Sequence, residues 1–408
     1  MNKKGSPMSQ KSNYFKGQID YAVVIPVFFL LMIGLASIYV ATMNDYPSNI
    51  YIAMFQQVSW IIMGCIIAFV VMLFSTEFLW KATPYLYALG LTLMVLPLIF
   101  YSPQLFAATG AKNWVTIGSV TLFQPSEFMK ISYILMLSRI TVSFHQKNRK
   151  TFQDDWKLLG LFGLVTLPVM ILLMLQKDLG TALVFLAILS GLILLSGISW
   201  WIILPILSTI VLFIASFLMI FISPNGKEWF YNLGMDTYQI NRLSAWIDPF
   251  SFADSIAYQQ TQGMVSIGSG GVTGKGFNIL ELSVPVRESD MIFTVIAENF
   301  GFIGSAIVLG LYLIIIYRML RITIEPNNQF YTFISTGFIM MIVFHVFENI
   351  GAAVGILPLT GIPLPFISQG GSSLLSNLIG IGLVLSMSYQ NTVRQAKANG
   401  SHLKYRSI

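Results

Sequence analysis

Long apolar runs alternate with short polar breaks along this chain, and the runs are of one size. Ten stretches carry almost no charge, near residues 20–42, 52–74, 80–101, 124–144, 158–176, 179–197, 199–222, 291–318, 329–350 and 371–390. A helix of about 20 apolar residues crosses a hydrocarbon core of about 30 Å. Backbone N–H and C=O groups in lipid must be satisfied within the chain, so each run is predicted to be a helix. A membrane barrel would need a series of short segments alternating with period two, and the chain lacks one. The pattern predicts an all-α, polytopic membrane protein of about ten transmembrane helices.

Two regions depart from this pattern. Ser223 to Asp290 is a polar insert holding SPNGKEWF, RLSAWIDPF and the glycine-rich GSGGVTGKGF, and it closes on VPVRESDMIF. A loop this long is uncommon unless it is functional or disordered. Its aromatic residues and spaced charges argue against disorder. The second is PLTGIPLPFISQGGSS at 358–373, with three prolines and three glycines among apolar residues. It cannot be a regular helix. Irregular backbone at membrane depth survives only where protein buries it or a wet cavity adjoins it, which predicts a re-entrant segment lining a cavity.

Composition agrees with a membrane protein, with 55% hydrophobic residues, 10% charged residues and a mean hydropathy of +0.74. Of the 23 lysines and arginines, Lys112, Lys177, Lys227, Arg242, Lys275 and Arg287 fall on one side of the ten-span arrangement. Lys130 lies inside a span, and the remainder fall on the other side. That asymmetry predicts cytoplasmic N- and C-termini and an extracytoplasmic insert. The net charge of +6 is then a topology signal, and no basic stripe interleaved with aromatics suggests nucleic acid. The first span is too long for a cleaved signal peptide and lacks the small-residue cleavage site. Cys65 stands alone in a span, which excludes a disulfide framework, and His145, His345 and His402 are too scattered for a zinc site. The organisation expected is a cytoplasmic tail (1–18), one membrane domain (19–390, outer loop 223–290) and a basic cytoplasmic tail (391–408).

Four polar clusters gather on the outer side. In GAKNWVTIGSVTLFQPSEFMK, Pro125 suits a first helical turn, Glu127 suits the positive end of the helix, and Lys130 is spaced to pair with it. An ionisable pair in a membrane helix is a functional candidate by default. Trp114 reads equally as an interfacial anchor. In QKDLGTALVF, Asp178 has the position of an N-cap yet faces the same region as Glu127. In the insert, GSGGVTGKGF fails the P-loop pattern, because Ser269 replaces the first glycine and Gly276 replaces the hydroxyl residue after Lys275. Its backbone N–H groups remain a candidate anion cradle. Arg242, Lys275 and Arg287 are candidate partners for a pyrophosphate. Asp290 opens the next span, and Glu298 lies about two turns deeper on the same face. The fourth cluster is the re-entrant segment, with Ser368 and Gln369, just after Glu348 and Asn349.

Six tokens in order, AKNW (111–114), LFQPSEFMK (122–130), QKDLGTALV (176–184), GSGGVTGKGF (268–277), RESDMIFTVIAE (287–298) and LPLTGIPLPFISQGGSS (357–373), make the chain resemble the SEDS family of shape, elongation, division and sporulation proteins. The resemblance runs from about residue 19 to 390 and is strongest to the rod-shape and elongation branch, RodA. It implies a ten-span peptidoglycan glycosyltransferase that polymerises lipid II on the outer face of the bacterial cytoplasmic membrane. It assigns the essential carboxylate to Asp290 and carries Glu127, Lys130, Asp178 and Trp114 over as site residues. It also implies a class B penicillin-binding protein as partner, among other membrane proteins of the elongation machinery, since the chain has no serine–lysine transpeptidase motif. Three positions depart from the family pattern: Asn113 for arginine, Lys177 for proline and Asn299 for a second acidic residue.

Under that reading Asp290 is general base, divalent-metal ligand, or both. Magnesium or manganese suits carboxylate and pyrophosphate oxygens. Arg242, Lys275 and Lys130 are the candidate cations for the leaving pyrophosphate, and no organic cofactor is expected. Two other readings remain open. A lipid II flippase would also carry intramembrane charges and a broken helix. The chain has no evident inverted repeat, however, and its clusters sit outside the midplane. A non-catalytic scaffold for a penicillin-binding protein is the third.

Overall fold

In a computed structural model the apolar runs form helices. The structure describes residues 19–118, 120–148, 151–324 and 328–405, with backbone alone for Ala108, Tyr238 and 391–405. The basic N-terminal tail and the Arg149–Lys150 pair lie outside the described residues, as does the end of the C-terminal tail.

The helices are α1 (Tyr21–Asp45), α2 (Ile50–Met72), α3 (Thr76–Ile99), α4 (Pro103–Thr109), α5 (Pro125–Lys147), α6 (Phe152–Gln176), α7 (Leu179–Leu195), α8 (Trp200–Ile222), α9 (Gly226–Asn232), α10 (Thr237–Ile247), α11 (Tyr258–Ser269), α12 (Ile292–Ile324), α13 (Gln329–Ala353) and α14 (Gly371–Tyr405). Eight of them are long and apolar enough to cross a membrane. Two further predicted spans form helices that fall short of that test. One is α7, which is apolar but shorter. The other is α5, whose polar residues turn inward, so that Ser126, Glu127, Lys130, Ser132, Ser138 and Thr141 are all buried. The protein is a multi-pass membrane protein.

Helix α5 is central because α3, α13 and α14 all pack on it. Helix α14 lies along α2, α12 along α1, and α13 along α7. Helix α8 stands at the rim, with only Ile202 and Phe221 buried. Its exposed apolar side chains suit hydrocarbon, where burial against protein brings no solvent gain.

The segment between α4 and α5 differs from its expected loop. Val115–Ile117 (β1) and Val120–Phe123 (β2) pair antiparallel. The two triplets, VTI and VTL, are mostly β-branched residues, a pattern too short to stand out among membrane runs.

Helix α12 is kinked at Gly301, whose backbone (φ 59°, ψ −154°) lies outside the helical region. The kink frees backbone groups that the glycine-rich loop satisfies. Phe302 N donates to Gly271 O (2.9 Å) and Ile303 N to Val272 O (3.1 Å). In return Lys275 N donates to Glu298 O (2.9 Å) and Gly276 N to Asn299 O (3.1 Å). A Cβ on Gly301 would stand 2.4 Å from Gly274 N, so only glycine permits this approach.

The Pro/Gly segment between α13 and α14 is non-helical, as predicted, and is held on several sides. A Cβ on Gly34 of α1 would lie 2.7 Å from Ile367 O, so the two backbones touch there. The Tyr312 hydroxyl of α12 donates to Pro365 O. Asn349 Nδ2 of α13 donates to Ile362 O (2.9 Å).

Candidate active site

Asp290 sits where the insert, α12 and the re-entrant segment meet. Its backbone is tied down on both sides. Asn349 Nδ2 donates to Asp290 O (2.8 Å), Ser368 Oγ to Ser289 O (2.6 Å), and Gln369 N to Glu288 O (2.9 Å). Ser368 is itself fixed by Leu364 N (2.8 Å). Two non-glycine residues in left-handed backbone, Val286 (φ 53°) and Phe366 (φ 66°), flank this junction. Such strain persists only where the surroundings over-determine it, and it clusters at functional sites.

The Asp290 side chain is held less completely than its backbone. Oδ1 is buried and has no hydrogen-bond partner. Burial pushes the carboxyl up to about 6, Glu288 adds to that, and the Arg242 guanidinium and the Gln259 amide oppose it. A carboxylate near pH 6 is poised to accept a proton at neutral pH. Arg242 therefore lies within electrostatic reach of Asp290. A cavity of ≈ 400 Å³ is lined by Thr42, Tyr46, Asn49, Ile52, Ala53, Gln56, Glu288 and Gln369.

The second cluster lies deeper, around α5. Lys130 Nζ pairs with Glu127 Oε2 at 2.8 Å, with both side chains nearly fully buried. Lys130 Nζ also stands 3.1 Å from His345 Nε2, and His345 Nδ1 faces Met341 O at 2.6 Å. A carbonyl can only accept, so Nδ1 carries the proton and Nε2 accepts from lysine. Ser376 Oγ donates to Glu127 O (2.9 Å), which ties α14 to this pair.

Asp178 is the N-cap of α7, accepting from Thr181 N (3.0 Å) and Thr181 Oγ1 (2.9 Å). Asn113 Nδ2 adds a bond to its Oδ2 at 2.7 Å. Asn113 thus ties the segment before β1 to the start of α7, while Trp114 beside it is half-buried. A Cβ on Gly180 would lie 3.1 Å from Thr360 O, which puts this helix start against the re-entrant segment.

Three residues expected to face a common substrate do otherwise. Arg287 is buried and reaches Asp45 (Nε to Oδ2, 2.8 Å) and Leu282 O (2.7 Å), so it staples the end of the insert to α1. Lys275 is committed to Glu281 (2.7 Å) and Glu298 (2.8 Å). Glu298 is fully buried and also accepts from Ser266 Oγ (2.7 Å) and Glu281 N (3.0 Å). Glu298 therefore does not continue a line of carboxylates from Asp290 but anchors the glycine loop. The loop's backbone N–H groups at 275 and 276 are likewise consumed by the kink, which removes them as an anion cradle. Asn299 caps no charge and bonds Val295 O (2.9 Å) and Ile279 N (3.3 Å).

The sequence reading left out Gln259, Thr360 and His345 as site members and treated Glu348 and Asn349 only as neighbours of the Pro/Gly run. A signal for three of them was present. His345, Glu348 and Asn349 have the i, i+3, i+4 spacing of one helix face, inside a membrane span, where polar side chains demand a reason.

Known proteins resemble this chain over most of its length. The family model FTSW_RODA_SPOVE, a cell cycle protein family, matches residues 21–393. Peptidoglycan glycosyltransferase MrdB of Escherichia coli K12 is 32% identical over 386 residues, covering 93% of this chain and 96% of that protein. Stage V sporulation protein E of Bacillus subtilis is 30% identical over 379 residues, covering 90% and 96%. A solved chain described under "Structural coordination of polymerization and crosslinking by a peptidoglycan synthase complex" superposes with a TM-score of 0.73 at 27% identity, covering 91% of this chain and 98% of that one. The crystal structure of the rod shape determining protein RodA of Thermus thermophilus gives a TM-score of 0.63 at 26% identity, with 91% and 96% covered. The chain belongs to the FtsW/RodA/SpoVE family, the SEDS proteins.

Proposed function

We propose that this protein is a peptidoglycan glycosyltransferase of cell elongation that polymerises lipid II on the outer face of the bacterial cytoplasmic membrane, with Asp290 as its general base. The observation that carries the reading is Asp290 itself: a carboxylate with a rigid backbone, a raised pKa and an unpartnered buried oxygen. Family membership and the near full-length match to a peptidoglycan glycosyltransferase support the reaction class.

The chemistry balances without a redox partner. The 4-hydroxyl oxygen of the acceptor's glucosamine bonds to the anomeric carbon of the donor's muramyl residue. The bond from that carbon to the pyrophosphate oxygen breaks, and the electron pair leaves with undecaprenyl pyrophosphate. The hydroxyl proton passes to Asp290. Charge grows on the leaving group, and preorganised cations lower the barrier there. Arg242 is the outer-loop cation suited to this role, because it lies within electrostatic reach of Asp290. The polar cavity beside Glu288 and Gln369 is of a size to take part of a sugar–phosphate headgroup.

A divalent cation, magnesium or manganese, is part of this proposal, and the unpartnered Asp290 Oδ1 fits it. When bound it offsets charge on pyrophosphate oxygens. Termini in the cytoplasm, and a class B penicillin-binding protein that cross-links the strands, complete the reading. The charge asymmetry supports the first. The likeness to a solved peptidoglycan synthase complex supports the second.

The test is purified protein in detergent with lipid II and manganese. Glycan strands are expected. Their absence, under conditions where a related polymerase makes them, contradicts the proposal and favours a flippase or scaffold.

A further inference from the structure

Glu348 is the buried carboxylate that neither the fold nor the proton transfer accounts for. It is 3% exposed, near the end of α13. One oxygen, Oε1, accepts from the Thr360 hydroxyl of the re-entrant segment. The other, Oε2, is buried with no hydrogen-bond partner. A buried anion left this incomplete is costly unless something else completes it.

Glu348 lies within electrostatic reach of Asp290. The next residue, Asn349, donates to Asp290 O at 2.8 Å, so the end of α13 and the Asp290 backbone are in contact. The two carboxylates repel one another, and Arg242 attracts both. On the side of the re-entrant segment, a Cβ on Gly361 would lie 3.8 Å from Asp290 Oδ2, next in chain to the Thr360 that holds Glu348. Asp290 also has a buried, unpartnered oxygen, Oδ1. Two orphan oxygens thus belong to carboxylates within electrostatic reach of each other, and one guanidinium is set against both.

Two other buried acids are resolved differently. Glu127 pairs with Lys130 at 2.8 Å and Glu298 with Lys275 at 2.8 Å. The chemistry that suits Asp290 and Glu348 is a small hard cation. Magnesium and manganese sites at phosphoryl substrates use one or two carboxylates and complete the shell with waters and phosphate oxygens. Among the described residues no group of three or more His, Cys, Asp and Glu side chains could hold a metal, so a two-carboxylate site is what this chain offers.

We infer that Glu348 is the second protein ligand of the divalent cation, joining Asp290 through its free Oε2 while Thr360 fixes its Oε1. The inference rests on the glycosyltransferase reading only for the substrate that finishes the shell. Binding of the cation itself does not depend on it.

The experiment is titration of the full-length protein in detergent with Mn²⁺ alone, following free Mn²⁺ by electron paramagnetic resonance. Glu348→Gln keeps an oxygen for Thr360 and removes the charge. Thr360→Val removes the hydroxyl and keeps the charge. The wild type is expected to bind one Mn²⁺, with at least tenfold weaker binding in E348Q and in D290N and less than threefold change in T360V. Monodisperse elution of all variants is the folding control. Unchanged affinity in E348Q overturns the inference, as does a wild type that holds no Mn²⁺. Equal weakening by E348Q and T360V overturns it too, since that marks a structural role. If Mn²⁺ binds through Glu348 but lipid II is not polymerised, the polymerase reading fails and this one stands. If lipid II is polymerised and E348Q binds Mn²⁺ normally, the reverse holds.

Discussion

Glu298 and Asp290 lie at the same end of one helix, yet their surroundings are opposite. Glu298 is buried and fully answered by Lys275, Ser266 and the Glu281 N–H. Asp290 is held rigidly through its backbone while a side-chain oxygen is left without a partner. A carboxylate hydrogen-bonded at both oxygens is held in its charged form by the fold around it. One that is positioned but unsatisfied can take up a proton. Under the proposed function the difference separates a charge that holds the fold from a charge that reacts, and distance along the chain does not reveal it.

The same contrast divides the two irregular segments. The glycine-rich loop at 268–277 spends its backbone groups repairing the kink at Gly301. The re-entrant segment at 357–370 spends its groups holding Asp290 and Glu348 in place.

These differences make distinct predictions. The largest effect on stability is expected where answered charges lose a partner. Lys130→Met strands the buried Glu127 carboxylate and should cost about 3–5 kcal/mol, read as a lower melting temperature in detergent. Asp290→Asn should melt close to the wild type, because Oδ1 has no bond to lose. A smaller loss, about 1–3 kcal/mol, is expected for Gly301→Ala, which forces a side chain into left-handed backbone against Gly274. An unchanged melting point there would mean that the kink is not held by the loop.

The smallest perturbation is protonation. Burial raises the Asp290 carboxyl to about 6, so its proton-accepting form is populated above that pH and lost below it. Polymerisation should therefore rise as pH increases through about 6 and fall by about tenfold per pH unit further below. A rate flat between pH 5 and 7 would sever the carboxylate from the chemistry.

Much of this molecule was readable from its residues. Apolar runs of membrane length marked the spans, and the Pro/Gly composition of 358–373 marked the irregular segment, because both depend on local physics. Asp290 stood out through its place at the end of the insert and through the RESDMIF motif. Arg287, Lys275 and Glu298 misled, because whether a charge is free depends on partners far away in sequence: Asp45 for Arg287 and the kinked helix for Lys275. The VTI–VTL hairpin was too short to register against its surroundings. The meeting of Glu348 with Asp290 depends on how the re-entrant segment folds back, which no spacing encodes.

The most direct measurement is the initial rate of lipid II polymerisation by wild type, Asp290→Asn and Glu298→Gln, each normalised to folded protein. Loss of a general base typically costs about 10²–10⁴ in rate. Asp290→Asn should fall by at least about 100-fold, while Glu298→Gln keeps most of the wild-type rate. Comparable rates in all three, or a loss confined to Glu298→Gln, would contradict the assignment of Asp290 as the reacting carboxylate.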